Sequence, residues 1–516
     1  MKRMYMWAAI AVAAGIAWAN GFSRADEPAV LSTIDTAEPV TATLLGDVDG
    51  DGLADAALLI DRRVVLHRQR ADRSFPATPD AQFTLPGDVI AVDLAPWDPP
   101  RQTRALPRSQ LLMAGARGVR VLDLAQQGGS PEPIELPPLP PLLTTKAGGA
   151  RPVRLTMSAD ADGAAPAELL VPTEKGVAVL RREDAQWSLL GIARARVEAR
   201  VRFGEDRPGA SLQHEFELPR VSVVEAKRPG EKPLKYVCVS QESEARVYRV
   251  AGARLEEVQR VHALFRFDQE DRFRQVRGTR QNEEVNDRAV GLQPADLNGD
   301  GILDFVTSRF RDGQVFIIRG KEGRFAVQQP DRTIDAEGWV VPVQPKDLDG
   351  DGLPELIVPR LPKIGIASAL RALLSRKVSF DLWVFRGNGA PDAGPAWKRS
   401  LDVEIVLGGD EGKFNVSARL LMLFADVDGD GLEDLVSRGA NERLEVYRGV
   451  RGGLISDESV TSLGIAKASE WPEVDLRGAD LDGDGRSDLI LTFGANLRGA
   501  RNRIQIAVWN PKPSSR

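Results

Sequence analysis

Along most of the chain, hydrophobic and polar residues alternate in short bursts. Examples are "AVLSTI" (Ala29 to Ile34), "KYVCVS" around Cys238, "QVFIIRG", "LEVYRG" and "RIQIAVWN". A period of two over four to eight residues predicts strands. Other bursts of similar length, "AALLI", "FVTS", "LIVP" and "LILT", follow an acidic segment and lead through a short polar turn into an alternating run. The elements are therefore strands joined as hairpins, and the abundant Gly and Pro, 48 and 34 residues, favour many turns over long helices.

The acidic segment repeats. "DVDGDGLAD" at Asp47 recurs as "DLNGDGILD" at Asp296, "DLDGDGLPE" at Asp347, "DVDGDGLED" at Asp426 and "DLDGDGRSD" at Asp480. With these five copies as template, weaker units emerge near Asp88, Val153 and Leu218. First strands then start near Val40, Asp88, Val153, Leu218, Ala289, Trp339, Arg419 and Glu473, giving eight units. Units of about 45 to 80 residues with roughly four strands each match the period of a propeller blade and exceed that of most solenoid repeats. The expected fold is all-β: a β-propeller over 29–510, most simply of eight four-stranded blades, seven if the degenerate Leu218 unit is not one. A tail, 511–516, follows. The last unit has only three strands, whereas Ala29–Ile34 precedes the first unit without a partner. This segment is predicted to supply the outer strand of the last blade and close the ring, which removes an open sheet edge.

Carboxylates this close repel strongly unless a cation sits among them. Each loop is numbered here from its first aspartate. Oxygen side chains then stand at positions 1, 3, 5 and 9, a backbone carbonyl is available at 7, and glycine at 6 permits the turn, which together suit an oxygen cage for Ca²⁺. The five sets are Asp47, Asp49, Asp51, Leu53 and Asp55; Asp296, Asn298, Asp300, Ile302 and Asp304; Asp347, Asp349, Asp351, Leu353 and Glu355; Asp426, Asp428, Asp430, Leu432 and Asp434; and Asp480, Asp482, Asp484, Arg486 and Asp488. An EF-hand would need a glutamate at position 12 and flanking helices. Position 12 is instead Leu58, Thr307, Val358, Ser437 and Leu491, all strand residues. Mg²⁺ takes fewer carboxylates and keeps more water. The competing expectation is a set of acidic turns holding no ion.

These loops between strands resemble the FG-GAP or VCBS repeat family, the calcium-loop blades of integrin α-subunit propellers and of many exported bacterial proteins. The resemblance covers nearly the whole chain after residue 28 and implies about five Ca²⁺ sites at the residues just named. Two departures stand out: Asn298 lowers the charge of its loop, and Glu355 closes its loop with a longer arm. In "DADGAAPAE", Asp160, Asp162 and Glu168 persist but Ala164 removes the ligand at position 5, so this site is expected to be empty.

Lys2 and Arg3 precede an apolar run from Met6 to Ala19, followed by small residues. This pattern predicts a secretory signal peptide within 1–25, cut after Ala19 or Ala25. The run has 14 residues, short of the ~20 that a spanning helix needs. No later segment is apolar enough to cross a bilayer, and no cysteine follows the run to take a lipid. The expected location is outside the cytosol: periplasm, cell surface or medium. Cys238 is the only cysteine, so stability there cannot come from an internal disulfide.

Five divalent ions would carry the formal charge of −6 to +4, or to +2 without Lys2 and Arg3. A chain so near neutrality lacks the concentrated basic face that nucleic-acid binding needs. The three histidines, His67, His214 and His262, fall in alternating segments, and no HExxH, GxSxG or phosphate-cradling loop is present. The sequence therefore points to a calcium-stabilised module that binds or scaffolds a protein or glycan partner at the cell envelope. A polysaccharide lyase-like enzyme and a purely structural envelope component remain as alternatives.

Two insertions break the blade pattern. In the sixth unit the second and third strands are separated by "PRLPKIGIASALRALLSRKVSFD", where Ile366, Leu370, Leu373 and Leu374 share one helical stripe. A short amphipathic helix is expected over Ala367–Arg376, with Arg371, Arg376 and Lys377 at its polar side and C-terminal end. It either packs onto the propeller or serves a partner. The charged segment Asp268–Asp287 leads from the fourth unit to the fifth. Second-to-third and fourth-to-first connections emerge on the face opposite the acidic loops, the face where integrin-like propellers meet partners by the resemblance.

Overall fold

The computed structural model describes residues 28–510 except 97–105, 127, 143–151, 165, 184–185, 196–197, 204–211, 218–219, 227–231, 241–243, 264–291, 310–312, 341–342, 364–373, 376, 389–393, 409–414, 419–420, 440–442, 467–473 and 494–501. Eight antiparallel sheets follow one another as blades, with strands A to D in chain order. Blade 1 is Ala42–Gly46, Asp55–Ile60, Arg63–His67 and Ala81–Thr84. The later A strands begin at Val89, Ser158, Arg220, Gln293, Gly338, Met422 and Val474, close to the expected starts. The last blade takes its outer strand from Ala29–Thr36, antiparallel to Asn502–Trp509, with Ile34 opposite Ile504, so the ring closes as the unpaired segment predicted.

The side-chain pattern explains why the B strands are continuously apolar. Every residue of Asp55–Ile60 is buried. Successive side chains point to opposite sheet faces. Ala57 and Leu59 join Leu44, Val92 and Leu111 in the core between blades 1 and 2, whereas Ala56, Leu58 and Ile60 join Ile34, Ile490 and Ile506 in the core between blades 8 and 1. The same division recurs around the ring. Eight apolar clusters each fill one junction between neighbouring blades, so no blade has a private core.

Several features depart from the sequence expectation. Val153–Arg154 pairs in parallel with the A strand of blade 2, and the A strand of blade 3 is only Ser158–Ala159. Between the C and D strands of blade 5, Gly323–Val327 leaves its own blade and adds a fifth, parallel strand to blade 4, with Gln259 opposite Gly323. After blade 3 a separate hairpin forms from Glu198–Phe203 and Leu212–Glu217. Of the expected helix only Leu374 and Ser375 lie among the described residues; both are helical, and Leu374 is 80% exposed, so that member of the stripe is not packed on the propeller. The signal peptide, the charged segment Asp268–Asp287 and the tail lie outside the described residues. Cys238 is a fully buried strand residue, and burial pushes its thiol pKa up. No helix of the described residues is long and apolar enough to cross a membrane.

Candidate metal centres

Each of the five repeated loops joins strands A and B of its blade, and the register shows why nine residues are needed. Gly46 pairs with Asp55, Ala295 with Asp304, Lys346 with Glu355, Ala425 with Asp434 and Ala479 with Asp488, so position 9 is the first residue of strand B. The chain turns back on itself through two glycines, at positions 4 and 6. Both have positive φ in every loop, for instance 86° at Gly50 and 89° at Gly52, where a side chain would be strained.

The aspartate at position 1 organises the turn. In the first loop Asp47 Oδ1 accepts from the Gly50 N–H at 2.6 Å and Oδ2 from the Gly52 N–H at 2.9 Å, and the same pair of bonds recurs at Asp296, Asp347, Asp426 and Asp480. Position 9 is the buried floor. Asp488 Oδ2 accepts from the Leu481 N–H and Oδ1 from the Trp509 N–H, both at 2.9 Å, and Asp55, Asp304 and Asp434 are held in the same way from strand C. Position 5 is the mouth: Asp51, Asp300, Asp351, Asp430 and Asp484 are exposed. At position 7 the backbone N–H of Leu53, Ile302, Leu353, Leu432 and Arg486 donates to that carboxylate.

Carboxylate oxygens converge within 4.8 Å at Asp47, Asp49 and Asp55, at Asp347, Asp349 and Asp351, at Asp426, Asp428 and Asp434, and at Asp480, Asp482 and Asp488. The fifth loop brings no such trio together among the described residues. There Asn298 donates to Asp300 at 3.0 Å, and Arg319 Nη1 stands 2.7 Å from Asp304 Oδ2. Burial pushes the pKa of Asp55, Glu355 and Asp488 up to about 7 and of Asp434 to about 6. Backbone donors oppose the rise, and neighbouring carboxylates add to it. An all-oxygen, mainly carboxylate donor set around a rigid turn fits Ca²⁺, which would relieve this crowding by adding positive charge beside buried acids.

One partner of these loops escaped the sequence analysis. The residue at the end of strand C or just past it, level with position 9, is arginine in four of them. Arg68 lies 3.7 Å from Asp49, Arg319 contacts Asp304 as above, Arg386 Nη1 is 2.7 Å from Asp349 Oδ2, and Arg448 Nε is 2.7 Å from Asp428 Oδ2. In blade 8 that place is Val508, and Arg73 reaches over from blade 1 to 2.9 Å from Asp482. The signal was the arginine ending "FIIR", "WVFR" and "EVYR", which has no meaning until strand pairing places it.

In blade 3 the degenerate loop also brings Asp160, Asp162 and Glu168 within 4.8 Å. Two side-chain cations already engage it. Arg181 pairs with Asp162 and lies 3.5 Å from Glu168, while Lys235 Nζ of blade 4 is 2.6 Å from Asp160.

The fold and its loops define a class: a closed β-propeller in which five of the eight A–B turns are acidic nine-residue clasps. The FG-GAP-like repeat model matches residues 296–358 and 426–491, covering the loops of blades 5 and 6 and those of blades 7 and 8. The chain thus carries FG-GAP-like repeats, and its eight-bladed propeller agrees with them. A search of curated proteins gives no match. Among solved structures, the chain is similar to an Agrocybe aegerita lectin whose structure concerns recognition of non-reducing terminal N-acetylglucosamine. That likeness has 21% identity and a TM-score of 0.37, over 74% of this chain and 84% of the lectin.

Proposed function

We propose that this protein is a secreted, calcium-stabilised propeller that binds a protein or glycan partner at the cell envelope, with the ions structural and the partner on the face opposite the clasps. The observation that carries the calcium reading is the burial of position 9 under backbone donors beneath converging carboxylates. A site floored by the chain's own N–H groups fixes two strands and offers a substrate little access. Residues at positions 1, 3, 5 and 9 of the loops of blades 1, 5, 6, 7 and 8 would hold the ions. Recognition falls to the two long insertions, Asp268–Asp287 and Ala367–Arg376, because loops on a rigid scaffold are where binding residues concentrate.

Affinity capture from an envelope extract in millimolar calcium tests this, comparing the mature chain with a variant lacking Ala367–Arg376 and with one carrying alanine at Phe273, Arg274, Arg371 and Arg376. Loss of one defined partner in either variant is the expected outcome. Undiminished capture by both would remove the insertion face from the proposal.

A further inference from the structure

Outer strands of neighbouring blades splay apart in a propeller, but here the D strands of blades 3 and 4, Gln186–Arg194 and Arg254–Ala263, touch. Between them lies a cleft of about 430 Å³, whose far wall is Gly323 and Arg324 of the strand that blade 5 lends to blade 4. That lent strand makes the cleft local to this junction.

Three arginines and one glutamate line it: Arg194, Arg260, Arg324 and Glu257. Glu257 is held by Arg260 Nη2 at 2.7 Å and Arg324 Nε at 3.3 Å, and Tyr248 Oη lies 3.3 Å from it while accepting the Arg194 backbone N–H at 2.9 Å. Burial favours protonation of Glu257, but the arginines outweigh it and hold its pKa below the usual range. The acid is therefore charged and cancels only one of three guanidinium charges. The Arg194 guanidinium has no hydrogen-bond or ion-pair partner among the described residues. The buried Arg260 Nε has no acceptor among the described residues, and the Glu244 carboxylate stands 4.0 Å from it. Ile192 and Leu255 add apolar surface beside the charges.

We infer that this cleft binds a small organic carboxylate with an apolar face, of the hexuronate class: Arg194 and Arg324 take the carboxylate at the mouth, and Leu255 and Ile192 receive the ring. A guanidinium fork matches a carboxylate in two parallel hydrogen bonds. The network of Tyr248, Glu257 and Arg260 fixes the wall before the ligand arrives, which reduces the ordering cost of binding. The volume falls in the range of small-molecule sites. The inference deepens the binding-module proposal by naming a ligand class, but it depends on neither the insertions nor the ions.

The test uses the full mature chain in calcium. Calorimetric titration with glucuronate and galacturonate, and with short oligomers of each, is compared with neutral hexoses and with inorganic sulfate. Binding of an uronate, none of the neutral sugar, and a loss of at least tenfold in both R194A and R324A are expected, with unchanged melting temperatures because both side chains are at the surface. Raising the salt from 50 to 500 mM should weaken uronate binding several-fold. Equal affinity in the variants, or no uronate binding at 20 mM, overturns the inference; sulfate binding without uronate binding overturns the assignment to an organic carboxylate. Deleting Ala367–Arg376 should leave uronate binding intact, so failure here and failure of the insertion-face proposal are separable.

Discussion

The loop of blade 7 and the loop of blade 3 share the hydrogen bonds that open the turn and floor it but compensate their charge differently. Asp426 and Asp160 both receive the N–H of the glycine three residues on, at 2.6 Å in each, and Asp434 and Glu168 both receive the N–H of position 2. In blade 7 a full set of acids faces one arginine at the rim. In blade 3 Ala164 and Ala165 replace the acid and glycine at positions 5 and 6, and Arg181 and Lys235 engage all three remaining carboxylates. The local turn is thus separable from the ion. Blade 3 carries its cations covalently, whereas blade 7 is proposed to borrow one from solution.

The sharpest way to break the comparison is chelation. If four or five loops bind Ca²⁺ at about 100 times its Kd, each contributes about 2.7 kcal/mol, on the order of 10 kcal/mol together. Calorimetry in EDTA should then show a melting temperature lower by roughly 10 °C or more. An unchanged melt would refute calcium stabilisation and make blade 7 equivalent to blade 3.

Next in size is Asp434→Ala, which leaves the buried N–H groups of Val427 and Gly449 unpaired and removes a proposed ligand. A loss of about 3 kcal/mol in calcium, shrinking in EDTA, is expected from urea unfolding. Arg181→Met should cost less, about 2 kcal/mol, since Asp162 and Glu168 lose a mostly buried partner. That loss should be the same with and without calcium; a calcium-dependent loss would show that blade 3 also takes an ion.

The last test is of pH. Asp55, Glu168, Glu355, Asp434 and Asp488 have folded pKa values raised to between about 6 and about 7, above the unfolded values of 3.8 for Asp and 4.5 for Glu. The folded apo-protein therefore holds more protons than the unfolded chain in this window, and its stability falls as pH rises from about 4 to about 7. Calcium competes with those protons, so the gap between calcium and EDTA melts should be wider at pH 8 than at pH 5. A gap independent of pH would dissociate the buried acids from the ion.

The blades and the clasps were legible because both are local. A period of two, a nine-residue acidic signature and an unpaired Ala29–Ile34 predict the eight-blade ring and its closing strand without distant information. What was not legible depends on pairing across the sheet or between blades. Arg68, Arg319, Arg386 and Arg448 become partners of the loops only when strand C lies beside strand B. The lending of Gly323–Val327 to blade 4 is set by a neighbour about 60 residues earlier, opposite Gln259 to Ala263, and leaves no mark on its own alternation. The cleft it completes was invisible for the same reason.

Closure by the first strand also dictates a timetable. Asp35 meets Arg503 across 468 residues, so every blade but the last can assemble while Ala29–Thr36 still waits for Asn502–Trp509. A contact so distant in sequence forms late, and its strand is an unpaired edge throughout synthesis. The segment most in need of shelter from other nascent chains is therefore the first strand of the ring to be made, and the pairing of Ala29–Thr36 with Asn502–Trp509 is expected to come last in folding.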